Sequence, residues 1–145
     1  MRLSTANPVR IACLLAALAA TPAQALELML TLTAKSSAGR VLVTAQFENR
    51  GPAPAQVPRA LASEKELTGR LFDIRDADSG DTIEYQGIMV KRGPLTAADY
   101  LTLKPGAKRR NTIDITPSYA FKPGKHRYLL SYEGGAPVTF SHEGK

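Results

Sequence analysis

The sequence has little of what small sites are usually built from: one cysteine, two histidines and no tryptophan in 145 residues. The single cysteine, Cys13, excludes a disulfide framework and a cysteine-rich metal site. A zinc-protease helix of the H-E-x-x-H kind needs two histidines one turn apart with a glutamate as base. Here His126 stands alone and His142-Glu143 is followed by Gly144-Lys145, so the motif is not completed. No G-x-S-x-G marks a serine nucleophile, and Ser79-Gly80 has no neighbouring base. We therefore expect no catalytic residues, no metal and no cofactor: a protein that is not an enzyme. The length excludes a two-domain dinucleotide-binding fold and an eight-unit strand–helix barrel. Internal repeats, low-complexity tracts and long helical periods are absent too.

What is present begins with a targeting pattern. Residues 1–10 carry Arg2 and Arg10 and no acid, residues 11–20 are apolar, and the stretch ends Ala23-Gln24-Ala25. A basic start, a short apolar run and an A-x-A end predict a secretory signal peptide over residues 1–25, cleaved after Ala25. The run is shorter than the roughly 20 residues that span a bilayer, so no transmembrane segment is expected. Cys13 lies near the start of the run, not after it, which argues against a lipid-anchored cysteine. The expected product is one domain, residues 26–145, free of cysteine, held by its core alone, and periplasmic or secreted. Cleavage takes 19 Lys and Arg to 17 against 13 Asp and Glu, and the net charge from +6 to +4.

That charge gathers at Lys104, Lys108, Arg109, Arg110, Lys122, Lys125 and Arg127. Nucleic-acid binding would want aromatics interleaved on an exposed face. The tyrosines here alternate as core residues, so the expectation is a solvated basic sheet edge and no nucleic-acid partner.

The remaining chain alternates apolar and polar residues with a period of two, the mark of half-buried strands. Residues 26–33 place Leu26, Leu28, Leu30 and Leu32 on one face, and 40–48 place Val41, Val43, Ala45 and Phe47 inward. A turn at 36–39 separates them. Three prolines in 52–58 predict a loop or sheet edge, and 60–68 a short helix. Residues 71–75 predict a strand with Phe72 and Ile74 on one side. Residues 76–81 predict a hairpin turn, and 82–91 its return strand. Residues 96–100 predict a loop or one helical turn. Leu101-Thr102-Leu103 leads into Lys104-Pro105-Gly106, a turn of type II character. Further strands are expected over 109–116, 125–133 and 137–141, with Pro117 to Gly124 as a connection. Seven to eight short strands with turn signals between them predict an all-β fold, an immunoglobulin-like β-sandwich.

Asp76, Asp78 and Asp81 raise the question of calcium, since three carboxylates within six residues offer hard oxygen ligands. The glycine comes one place early for an EF-hand and no glutamate stands at position twelve. Asp and Gly are also what a tight hairpin wants for its backbone, and a plain turn is the expectation.

One set of motifs is distinctive. Gly87-Ile88-Met89-Val90-Lys91-Arg92 is followed by Leu103-Lys104-Pro105-Gly106, then by Asp114-Ile115-Thr116-Pro117-Ser118-Tyr119-Ala120-Phe121, then by Tyr128-Leu129-Leu130-Ser131-Tyr132. With the earlier strand ending Phe47-Glu48-Asn49-Arg50-Gly51, this resembles the N-terminal β-sandwich domain of peptidyl-Lys metalloendopeptidases, the deuterolysin or aspzincin zinc proteases. A weaker likeness is to the bacterial intracellular proteinase inhibitor family. In the first family a catalytic domain with H-E-x-x-H follows the sandwich. This sequence carries none, so the resemblance implies the non-catalytic module alone. It further implies a partner: a secreted zinc metallopeptidase that the module inhibits, accompanies like a propeptide, or helps to fold. Lys91 and Arg92 are then the candidate partner-binding residues, with Lys91 as a decoy for an acidic lysine pocket. The alternative is a structural or interaction module of the cell envelope with no protease link.

Overall fold

In the computed structural model, which describes residues 27–91 and 93–145, the period-two segments become antiparallel strands. β1 (Leu28–Ser37) and β2 (Arg40–Asn49) form a hairpin in which Leu30 lies opposite Phe47 and Ser37 opposite Arg40. β1 runs four residues further than its leucine alternation predicts. The turn shrinks to Ala38-Gly39, both with positive φ, the two-residue geometry that suits the twist of paired strands. β6 (Lys108–Asp114) pairs with the other side of β2, with Val43 opposite Ile113 and Glu48 opposite Lys108.

A second three-stranded sheet joins β4 (Phe72–Asp76), β7 (Gly124–Tyr132) and β8 (Val138–Gly144) in the order β4-β7-β8. Ile74 faces Leu130, and Tyr128 faces Phe140. β3 (Ala55–Pro58) and β5 (Tyr100–Leu103) make a separate two-stranded ribbon. Among the described residues, eight strands thus lie in three antiparallel sheets, and the structure is mostly β. One core serves all three: Val41, Val43, Val57, Phe72, Ile74, Ile113, Tyr128 and Leu130 are completely buried in one cluster. The inward faces expected at 40–48 and 71–75 are those observed, and Tyr128 and Leu130 turn inward from β7.

Two segments differ from expectation. The helix expected over 60–68 is a single turn, α1 (Arg59–Ala62). Side chains of β6 take the carbonyls a longer helix would use: Asn111 Nδ2 donates to Leu61 O and Glu64 O, and Arg109 Nε to Ala62 O. Leu61 and Leu67 are still buried.

The return strand expected over 82–91 does not form. The chain makes one bridge to β4, Arg75 to Thr82, and then leaves it. The reason is Tyr119, whose buried hydroxyl donates to Phe72 O at 2.7 Å and accepts from Phe72 N at 3.1 Å. The backbone groups a longer ladder would use at Phe72 are already taken. A short helical turn at Thr116–Ser118 sets Tyr119 in place. Among the described residues, no helix is long and apolar enough to cross a membrane.

Candidate functional site

Beyond Ile83, residues 84–91 leave β4 and run over the surface of the protein. Ile83 is buried, and its N–H donates to Ile74 O. The chain then crosses the Thr116–Phe121 connection, with Gln86 N donating to Ser118 O at 2.8 Å and Ala120 N to Glu84 O at 2.9 Å. The Tyr85 and Tyr119 rings meet edge to face, 5.4 Å between centroids. The Tyr85 hydroxyl donates to Ile88 O. Gly87 lies against that phenol: a Cβ there would come within 2.8 Å of the Tyr85 oxygen and 3.1 Å of Ser118 Oγ. A larger residue at 87 would have to push the Tyr85 phenol aside. Val90 N donates to Thr68 O at 2.9 Å. Beyond Gly93-Pro94, Thr96 and Asp99 form a reciprocal cap on the short helical turn Ala97–Asp99.

The backbone is thus tied down while the side chains are left in water. Ile88 is 57% exposed, Met89 73%, Val90 47% and Leu95 65%. These are most of the exposed large apolar side chains among the described residues. Lys91 lies among them and is exposed. Ile83 and Tyr85, two places apart, turn inward, whereas Met89 does not. Arg92 and the expected cleavage point at Ala25 lie outside the described residues.

The acidic turn is a different kind of structure. Asp76 is almost fully buried, and its carboxylate accepts from Asp78 N, Ser79 N and Lys122 Nζ, the last at 3.0 Å. Lys122 Nζ also reaches Asp81 at 2.9 Å, and His126 Nδ1 lies 3.2 Å from Asp76 Oδ2. The turn's cation is an ammonium from its own chain. The Ser79 N–H, the Lys122 ammonium and the Asp78 N–H hold the Asp76 carboxyl well below the usual range. The hydrogen bond from Lys122 lowers Asp81, and Asp81 and Asp76 together raise Lys122. Asp78 points outward to Arg127 at 2.9 Å. Among the described residues, no three His, Cys, Asp or Glu side chains converge to hold a metal.

The basic edge expected over 104–127 is therefore divided. Lys122 belongs to the turn and Arg109 binds Ala62 O, while Lys104, Lys108 and Arg110 are exposed. His126 is half-buried between Asp76 and Pro123 O. His142 is buried, with Nδ1 2.8 Å from Ser36 Oγ on β1 and its ring against Phe121. Desolvation lowers its pKa.

Sequence reasoning also misses the role of Asn49, which it places only at the end of a strand. It is fully buried and ties two of the motifs together. Its amide donates to Ala53 O and Leu103 O, its side-chain oxygen accepts from Gly51 N, and its carbonyl accepts from Gly106 N. The signal was the exchange of a strand's apolar period for Asn followed by Gly, which marks a side-chain-to-backbone turn.

No family model and no curated protein sequence matches the chain.

Proposed function

We propose that this chain is an exported, non-enzymatic protein-binding module of immunoglobulin-like sandwich architecture, and that the 87–95 loop is its contact surface. One observation carries the reading. Hydrogen bonds to Ser118, Tyr85 and Thr68 pin the backbone from Gln86 to Val90, yet Ile88, Met89 and Val90 stand out in water, with Leu95 exposed beyond them. Leaving such side chains exposed is costly unless a partner covers them. Pinning the backbone in advance lowers the ordering cost of binding. The sandwich reading is supported by two three-stranded antiparallel sheets closed over one core.

The partner that best suits the loop is a secreted zinc metallopeptidase with an acidic lysine pocket. Lys91 enters that pocket as a decoy while Met89 and Val90 pack on its rim. The module then acts as an inhibitor or propeptide-like companion. The test is inhibition of a purified peptidyl-Lys metalloendopeptidase by micromolar protein. Lys91→Ala and Met89→Ser should each weaken inhibition about tenfold or more without changing the thermal melt. An uninhibited peptidase, or inhibition untouched by either substitution, overturns the reading.

A further inference from the structure

Behind the loop lies a groove of about 600 Å³, bounded by α1 and the 64–71 segment, by Val90 and Leu95, and by the end of β7. That volume is in the range of small-molecule and peptide sites. We propose that this groove binds a short lysine- or arginine-bearing peptide segment of a partner protein, a role that goes beyond the loop's and stands without it.

The argument is charge and shape together. The floor is apolar, made by the half-buried side chains of Leu71, Tyr100 and Tyr132. Its rim carries four carboxylates: Asp99 is held in the cap of its own helical turn, and Glu64, Glu66 and Glu133 enter no ion pair among the described residues. Two guanidiniums also line the groove, and both are engaged. Arg70 pairs with Asp73 at 3.0 Å, and Arg59 Nε donates to Ala98 O at 2.8 Å. Among the described residues the lining thus sets four carboxylates against two guanidiniums, on a chain that is net basic. Lysine and arginine are the side chains that match it: their aliphatic stems lie along apolar surface while the charged head reaches the rim. An anionic segment would meet these carboxylates and be repelled.

The test uses the purified protein and a fluorescein-labelled pentapeptide alternating lysine with leucine. Saturable binding by fluorescence anisotropy is expected, weakening as salt is raised. The same peptide with glutamate for lysine should not bind. The combined Glu64→Gln, Glu66→Gln and Glu133→Gln variant, folded as judged by its melt, should bind about tenfold more weakly. Equal binding of the glutamate peptide, an unchanged affinity in the triple variant, or no saturable signal up to millimolar protein overturns the proposal. The assay contains no peptidase, so its outcome is independent of whether the loop inhibits one.

Discussion

Tyr119 is where a single atom has the widest consequence. Its hydroxyl serves both backbone groups of Phe72 in a buried site, and its ring supports Tyr85 and through it the loop. Burial pushes its pKa up to about 12, although the hydrogen bond to Phe72 opposes the shift. Tyr119→Phe keeps the ring and removes the oxygen, leaving a buried N–H and C=O unpaired. The expected loss is about 2–3 kcal/mol, read as a lower midpoint in urea unfolding. Tyr85→Phe, which removes a hydroxyl from a partly exposed position, should cost less in stability but free the Ile88 carbonyl. A Tyr119→Phe protein as stable as its parent would mean that the Phe72 groups find other partners.

Among elements, the β1–β2 hairpin offers the sharpest test. Ala38 and Gly39 both have positive φ, 53° and 79°. Glycine takes that conformation freely, whereas alanine pays for its Cβ. Asparagine is the residue that tolerates it best after glycine, and Asn-Gly is the favoured pair in such turns. Ala38→Asn should therefore raise stability by about 0.5–1 kcal/mol, seen as a higher melting temperature with the fold unchanged. The same comparison shows what alternation can and cannot reveal. β2 and β7 were legible because their inward faces repeat without interruption, Val41-Val43-Ala45-Phe47 and Tyr128-Leu130-Tyr132. The 82–91 segment breaks that period with Gly87 and then three consecutive apolar residues. Its competitor for β4 is a hydroxyl 47 residues away from Phe72 in sequence, which no local pattern can announce. The loop's composition was visible, but its exposure depends on that lost pairing. Asp76 is a similar case: aspartate in a turn reads as solvated, and only the fold brings Lys122 and His126 over it.

For the molecule as a whole, these groups set how stability depends on pH. His142 is buried, and its pKa is lowered by desolvation. The unfolded chain takes up its proton near pH 6.5 while the folded one does not. That contribution is present above about 6.5 and is lost as pH falls toward the folded value. Asp76, Asp81 and Asp114 are also lowered in the fold. For Asp114, burial works against the shift, and the Thr116 and Arg40 hydrogen bonds outweigh it. Their contribution is present above the ordinary carboxylate value near 4 and is lost below it. The acid side should therefore show two stages, one starting near pH 6.5 and a steeper one near pH 4. The alkaline side has the opposite sign. Lys122 is raised by Asp81 and Asp76, and burial raises Tyr85, Tyr119, Tyr128 and Tyr132. Stability should hold up to about pH 10 and fall above it, as the unfolded chain loses protons the folded one retains. Urea unfolding at stepped pH would trace both limbs. His142→Gln, which can keep a hydrogen bond to Ser36 but has no proton to gain, should remove the first acid stage and leave the second. If that variant still loses stability between pH 6.5 and 5 as its parent does, the buried imidazole is not its source.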